Sequence, residues 1–200
     1  MKNLKLASGR TALVIVAHPD DETIWSGGTI SKYHQVRWTI LVLCRASDPD
    51  RAPKFQRVAK HFQAEGIIAD LEDEGLLNIK QSIKPIKMII KERLAGRSFD
   101  YCFTHGANGE YGHERHRSVH LAVKQMFEVG QLPSKELWNF NYKKITKFKL
   151  APKLNSDLIV KLTKAEYSAK VAVMSELYGF DPRGIDAGFC TNPEAFKKIK

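Results

Sequence analysis

The chain has 200 residues, of which 43% are hydrophobic and 27% charged, the make-up of one ordinary globular domain over residues 1–200 that can bury a core without staples. No apolar run reaches the roughly 18 residues of a membrane span, and Met1–Ser8 lacks the apolar stretch of a secretory leader. The net charge of +10, from 32 Lys and Arg against 22 Asp and Glu, fits a well-solvated surface, an anionic substrate or an anionic surface, while the absence of a nucleic-acid motif argues against DNA or RNA as partner.

Taken in chain order, Thr11–Ala17 is a continuous β-branched run and reads as a strand covered on both faces. Glu22–His34 has helical character, with Gly27 and Gly28 packing close to the strand. Arg37–Cys44 is a second buried strand, and Ala46–Ala52 a loop marked by turn residues. Lys54–Glu65 spaces Phe55, Val58, Ala59 and Phe62 as a helix that ends at Gly66. A strand over Ile67–Leu71, a helix over Ile83–Leu94 and a strand over Phe99–Thr104 follow. After a Gly-rich segment, His105–Gly112, a helix runs from His113 to Glu128. Short strands are expected at Leu137–Tyr142 and Lys144–Leu150, a last helix at Thr163–Tyr178, and an irregular tail after Gly179. Cys44, Cys102 and Cys190 are too few and too far apart for a disulfide framework or a Cys-x-x-Cys zinc site. They read as buried thiols of a cytoplasmic protein.

Strands alternating with helices make this an α/β chain: three αβα layers around a mainly parallel, Rossmann-like sheet. In such sheets ligands bind beyond the carboxyl ends of the strands. Two clusters stand there. The first is Ala17-His18-Pro19-Asp20-Asp21-Glu22, after the first strand; the second runs from His105 to His116.

Pro19 sets a turn into a helix start. Adjacent carboxylates repel, and a cation between them relieves that cost. His18 and Asp21, three apart, can face one ion while Asp20 points elsewhere; alternatively, Asp20 or Asp21 merely caps the helix. His113 and His116 share a helix face, and Gly106, Gly109 and Gly112 allow close backbone passage. Two histidines and one carboxylate with an open fourth position is the arrangement of catalytic zinc, and it also suits Fe²⁺. Glu22 reads as a helix N-terminal charge or a hydrogen-bonding support. His105 and Asn108 lie on the site loop, where contact with substrate or ligands is one of two readings. His34, His61 and His120 read as surface or packing residues. Trp25, Trp38 and Trp138 read as core residues, with Trp25 the one best placed to stand beneath a sugar instead.

The two clusters together resemble the PIG-L/LmbE-like family of metal-dependent de-N-acetylases: Ala-His-Pro-Asp-Asp-Glu at a strand end, and Gly-x-x-Gly-His-x-x-His about 95 residues later. The likeness runs from about Thr11 to Val123. It implies His18, Asp21 and His116 as zinc ligands, Asp20 as general base, and His113 as the residue that stabilises the oxyanion. The implied reaction is hydrolysis of the N-acetyl group of an N-acetylglucosamine-type sugar, by water and without a covalent acyl-enzyme. A metal-dependent amidase on a non-sugar amide, and a non-catalytic sugar- or nucleotide-binding protein, are the alternatives. Two departures stand out. Arg115 occupies the place of an Asp between the two histidines. The helix after the second strand reads Lys54-x-x-Arg57 where relatives have Arg-x-x-Glu, the Arg lying near substrate.

Overall fold

A computed structural model describes residues 1–147 and 149–199. Eight strands form one sheet in the order β1-β9-β10-β6-β5-β2-β3-β4. Its centre is a parallel block: β2 (Thr11–Val16), β3 (Arg37–Cys44), β4 (Glu65–Leu71), β5 (Phe99–Thr104) and β6 (Ser134–Phe140). The continuous apolar runs of β2 and β3 follow from burial on both faces. Ala12, Val14 and Val16 enter one core, and Leu13, Ile15 and Ala17 the other. The first core holds Trp25 and Ile30 of α1 (Asp21–Lys32) and Phe55 and Val58 of α2 (Arg51–His61). The second holds Ile86 and Ile90 of α3 (Ile79–Arg93), and Val119 and Val123 of α5 (Glu114–Glu128), which follows the one-turn α4 (Gly109–Gly112). These are the expected three layers.

From β2 the chain steps outward through β3 and β4, then returns to the opposite side of β2 as β5. The crevice at that reversal lies between the carboxyl ends of β2 and β5, where both motif clusters emerge.

Several expected boundaries move. Helix α2 begins at Arg51, not Lys54, because Pro53 sits in its first turn, where a missing N–H costs nothing. It ends at His61, and β4 starts at Glu65. Helix α3 starts at Ile79, set by a capping box between Asn78 and Gln81. The stretch 144–150 is not one strand. It belongs to a hairpin of β7 (Tyr142–Thr146) and β8 (Lys149–Pro152), and Phe148 lies outside the described residues. Helix α6 (Lys164–Ala172) continues as a π-helical turn over Val173–Leu177.

The tail is ordered, contrary to the expectation of an irregular one. It forms α7 (Ile185–Gly188) and β10 (Glu194–Ile199), which pairs antiparallel with β6 and with β9 (Leu158–Val160); β9 in turn pairs with β1 (Lys2–Asn3). No helix among the described residues is long and apolar enough to cross a membrane.

Candidate metal-dependent active site

Strand β2 delivers His18 into a turn that Asp20 completes with φ of 125°, a strained value for a residue with a side chain. The turn is held from below. Buried Glu22 accepts the Asp20 N–H at 3.1 Å, and its other oxygen accepts the hydroxyls of Thr23 and Tyr178. Glu22 is thus a support for the turn. Among the described residues, three of the four non-glycine residues with positive φ lie here: Asp20, Arg45 at 75° on the crevice, and Glu110 at 55° buried behind His105 and His116; the fourth, Gln63, follows α2. Strain gathered at one place on a structure marks a functional site.

The three expected ligands converge. His18 Nδ1 lies 3.3 Å from Asp21 Oδ2, and His116 Nε2 lies 3.3 Å from Asp21 Oδ1. Asp21 is buried and positioned from two directions: Trp25 Nε1 donates to Oδ1 at 2.8 Å, and the His18 backbone N–H donates to Oδ2 at 2.8 Å. Trp25 therefore braces Asp21. It is fully buried, as the core reading of the tryptophans expects, and the alternative of a sugar platform falls away.

Hydrogen bonds assign the imidazole tautomers, because a backbone N–H can only donate and a carboxylate can only accept. The Ala17 N–H donates to His105 Nε2 at 3.0 Å, so His105 carries its proton on Nδ1 and gives it to Glu110 Oε2 at 2.9 Å. His116 Nδ1 donates to the same oxygen at 2.8 Å. Its Nε2 is left as a buried atom with no hydrogen-bond partner. The Arg115 N–H donates to His113 Nδ1 at 3.2 Å, which leaves an N–H on Nε2. His105 and His113 thus each have one ring nitrogen spent on the backbone, while His116 Nε2 stands beside Asp21 with no hydrogen-bond partner.

His116 falls into two groups whose donor atoms lie within 4.8 Å of one another, one with His18 and His113, the other with Asp21 and His105. A third group joins His18 to Cys44 and Asp73. There the thiol is pushed up by burial, and Arg45 and Arg115 already engage Asp73, at 3.0 and 3.5 Å. The bare nitrogen at His116, with an imidazole and a carboxylate beside it, is the donor set that suits a divalent ion.

The two neighbouring aspartates are pushed apart. Burial and the nearby Asp21 raise Asp20, with Arg51 opposing. For Asp21, burial works upward but His116 and His105 outweigh it and hold the carboxyl well below the usual range. Burial, reinforced by His116 and His18, lowers His113 to about 4. Burial also disfavours charge on His18, yet its contacts with Asp21 and Asp73 prevail and raise it to about 9.

The crevice has a volume of about 430 Å³ and is lined by His18, Asp20, Asp21 and His113 together with Tyr111 and Phe189. Arg51 Nη2 donates to Asp20 Oδ2 at 2.8 Å and to the Pro19 carbonyl at 3.0 Å, and its guanidinium lies 4.8 Å from the Phe180 ring. Of the two arginines that line the crevice, Arg45 and Arg51, it is Arg51 that pairs with Asp20. Lys54 pairs with Asp50, and Arg57 is exposed on α2, which corrects the expected alignment of that pair. Arg115 turns away from the crevice onto Ser82, Glu72 and Asp73. Asp73 then accepts from His18 Nε2 at 3.1 Å.

Sequence reasoning missed Glu110, Asp73, Arg51 and Tyr111. Glu110 had a signal, a lone carboxylate within the Gly–His segment; Asp73, in the loop after β4, and Arg51, at the start of α2, had none. His105 proves to be a buried support, and His120 is buried packing that contacts the His105 carbonyl through Nδ1 at 3.0 Å. Gly106 permits the close passage expected of it, since a Cβ there would stand 2.5 Å from the Phe140 carbonyl oxygen.

A family model described as GlcNAc-PI de-N-acetylase, PIG-L, matches residues 13–127, more than half of the chain and both motif clusters. The chain belongs to the PIG-L family. Uncharacterized protein L374 of Acanthamoeba polyphaga mimivirus is 24% identical over 123 residues, 54% of this chain and 53% of that relative, so the match spans about half the relative's length. Among solved structures, the A40926 pseudoaglycone deacetylase Dbv21 superposes with a TM-score of 0.67 at 14% identity, over 96% of this chain and 98% of that one. The 4-carboxy-2-hydroxymuconate hydratase GalB of Pseudomonas putida KT2440 superposes with a TM-score of 0.66 at 11% identity, over 96% of each chain. At these identities the likeness establishes the fold, which carries a deacetylase in one case and a hydratase in the other.

Proposed function

We propose that residues 1–200 form one metal-dependent de-N-acetylase domain that hydrolyses the acetamide of an N-acetylglucosamine-type sugar or its conjugate. The observation that carries this reading is the bare, buried Nε2 of His116 beside Asp21, with a second carboxylate, Asp20, held apart on Arg51. His18, Asp21 and His116 would hold the ion, zinc by preference. Such an ion supplies Lewis-acid polarisation of an acyl oxygen and a water acidified to about pKa 7.

Asp20 takes the proton of the attacking water and returns it to the departing nitrogen, a role typically worth about 10²–10⁴-fold. Its raised affinity for protons and its anchoring by Arg51 support that role. His113 stays neutral and keeps an N–H on Nε2, a donor for the oxyanion that develops as the carbonyl is attacked. The crevice wall mixes Tyr111 and Phe189 with the charged Arg45 and Asp186, a lining matched to a hydroxylated ring.

The test is acetate release from a panel of N-acetylglucosaminyl compounds, neutral and anionic, and of non-sugar acetamides, with metal content measured on the same sample. Release from the sugars, lost in Asp20→Asn, is the expected result. Turnover confined to non-sugar amides would make the enzyme a general amidase. No turnover and no bound metal would leave a sugar- or nucleotide-binding protein.

A further inference from the structure

Half of the net charge lies on one hairpin. Residues 143–153 contain Lys143, Lys144, Lys147, Lys149 and Lys153 and no acidic residue, in a chain whose net charge is +10. Strand β6 runs parallel to β5, so the β7–β8 hairpin that follows it leaves the sheet at the end where the crevice opens. Its base rests on the site loop: Lys153 Nζ donates to Asn108 Oδ1 at 2.9 Å, and Asn108 Nδ2 donates to the Tyr142 carbonyl at 3.0 Å. Beyond buried Tyr142, β7 is exposed.

The exposed residues are not only basic. Ile145 is 51% exposed and Leu154, just past β8, is 86% exposed. Ile185 on α7, which packs on β8, is a third uncovered aliphatic. Lys143, Lys144 and Lys149 face solvent with no carboxylate paired to them among the described residues. Lysines interleaved with solvent-facing aliphatics, at the mouth of a cleft, are the features of a surface that meets headgroups and the first carbons of lipid chains. A nucleic acid would use the lysines but has no apolar layer for Ile145 and Leu154, and single strands are gripped by exposed aromatic platforms.

We propose that the β7–β8 hairpin docks the protein on an anionic phospholipid bilayer, with the lysines at the headgroups, Ile145 and Leu154 at the acyl boundary, and the crevice opening beside the membrane surface. The docking needs no catalysis, so its test stands apart from the activity proposed above. The full chain is sedimented with vesicles of phosphatidylcholine alone and of phosphatidylcholine mixed with phosphatidylserine. Binding is expected only to the mixed vesicles, and it should fall as salt is raised. Each lysine near such a surface is worth about fivefold, so K143Q/K144Q/K149Q should lower partitioning roughly 100-fold. The same charge removed from α3, as K80Q/K84Q/K91Q, should leave partitioning nearly unchanged, and Ile145→Ser should weaken it at high and low salt alike. Equal binding to neutral vesicles, equal loss in the α3 variant, or lysine-dependent capture of duplex RNA in preference to vesicles would overturn the proposal.

Discussion

Glu110 offers the most direct test of how the site is built. Its side chain is inaccessible to solvent and makes three bonds: from Gly106 N–H at 2.6 Å to Oε1, and from the two Nδ1–H groups of His105 and His116 to Oε2. Burial opposes charge on this group, but the imidazoles hold its carboxyl down to about 2. Glu110→Gln keeps the shape and removes one acceptor. If the new amide nitrogen faces Gly106, two donors oppose each other. If it faces the imidazoles, His116 must turn its proton to Nε2, which closes the lone pair beside Asp21. A charge-assisted bond of this kind is worth about 1.5–3 kcal/mol, and a chain of this size loses about 2–4 °C per kcal/mol, so Tm of the metal-free protein should fall by roughly 3–12 °C. Metal affinity should fall about 10–100-fold, as when the outer partner of a ligating histidine is removed. Melts of stripped protein and competition against a chromophoric chelator measure both without any substrate. Met126→Ala, buried in the second core, should lower Tm comparably by cavity formation and leave metal affinity intact. If Glu110→Gln binds metal as the parent does, the tautomer argument for His116 is wrong.

Other perturbations probe the division of labour and the frame. Asp21→Asn should bind metal weakly and recover activity in excess Zn²⁺. Asp20→Asn should bind close to one equivalent and lose about 10²-fold or more in kcat with no rescue; rescue of Asp20→Asn instead would reverse the two roles. Gly28→Ala places a Cβ 2.4 Å from Leu162 Cδ1 and 3.1 Å from Glu194 Oε1, and chemical unfolding should register about 1–3 kcal/mol of overpacking. Lys170→Met leaves Glu194, fully buried and paired at 2.6 Å, without its cation; a loss of about 3–5 kcal/mol is expected, and an unchanged denaturation midpoint would show that the Gly28 and Thr29 N–H groups suffice. Lys135 and the Thr11 N–H hold Asp100 below the ordinary carboxylate range. Its contribution to stability is therefore full above the unfolded pKa of about 3.9 and is lost as pH falls through the folded value. Asp100→Asn should lower Tm at neutral pH and show a smaller difference from parent near pH 2.

The central sheet was legible because its strands are buried on both faces, which forces runs such as Ala12–Val16 and Ile40–Cys44. Strand β10 was not. Glu194 and two lysines make its sequence look like a solvated tail, yet Glu194 is fully buried. What makes that tolerable is remote: Lys170 from α6, and the Gly28 and Thr29 N–H groups from the middle of α1. No local pattern reports a compensation that arrives from 24 and 166 residues away. The start of α2 failed for the opposite reason, since Pro53 is a breaker in a helix interior and harmless in a first turn.

The candidate site divides in the same way. Residues at the ends of β2 and β5 could be read because strand ends fix their direction, whereas Arg45, Arg51 and Asp73 reach the crevice from the segments after β3 and β4. That difference also accounts for Arg115. Arg115 stands between His113 and His116 in the sequence, and a guanidinium facing the crevice would set a positive charge beside the proposed cation site. The guanidinium instead swings outward to Ser82, Glu72 and Asp73. Asp73, steadied by Arg115 and Arg45, in turn presents its carboxylate to His18 Nε2. An acidic charge from the β4–α3 loop is thus brought to His18. With Nε2 of His18 committed to Asp73, its Nδ1 is the nitrogen left for Asp21 and for an ion. Two carboxylates, Glu110 within the second cluster and Asp73 outside both, therefore each hold one nitrogen of a histidine proposed as a ligand and leave the other facing Asp21.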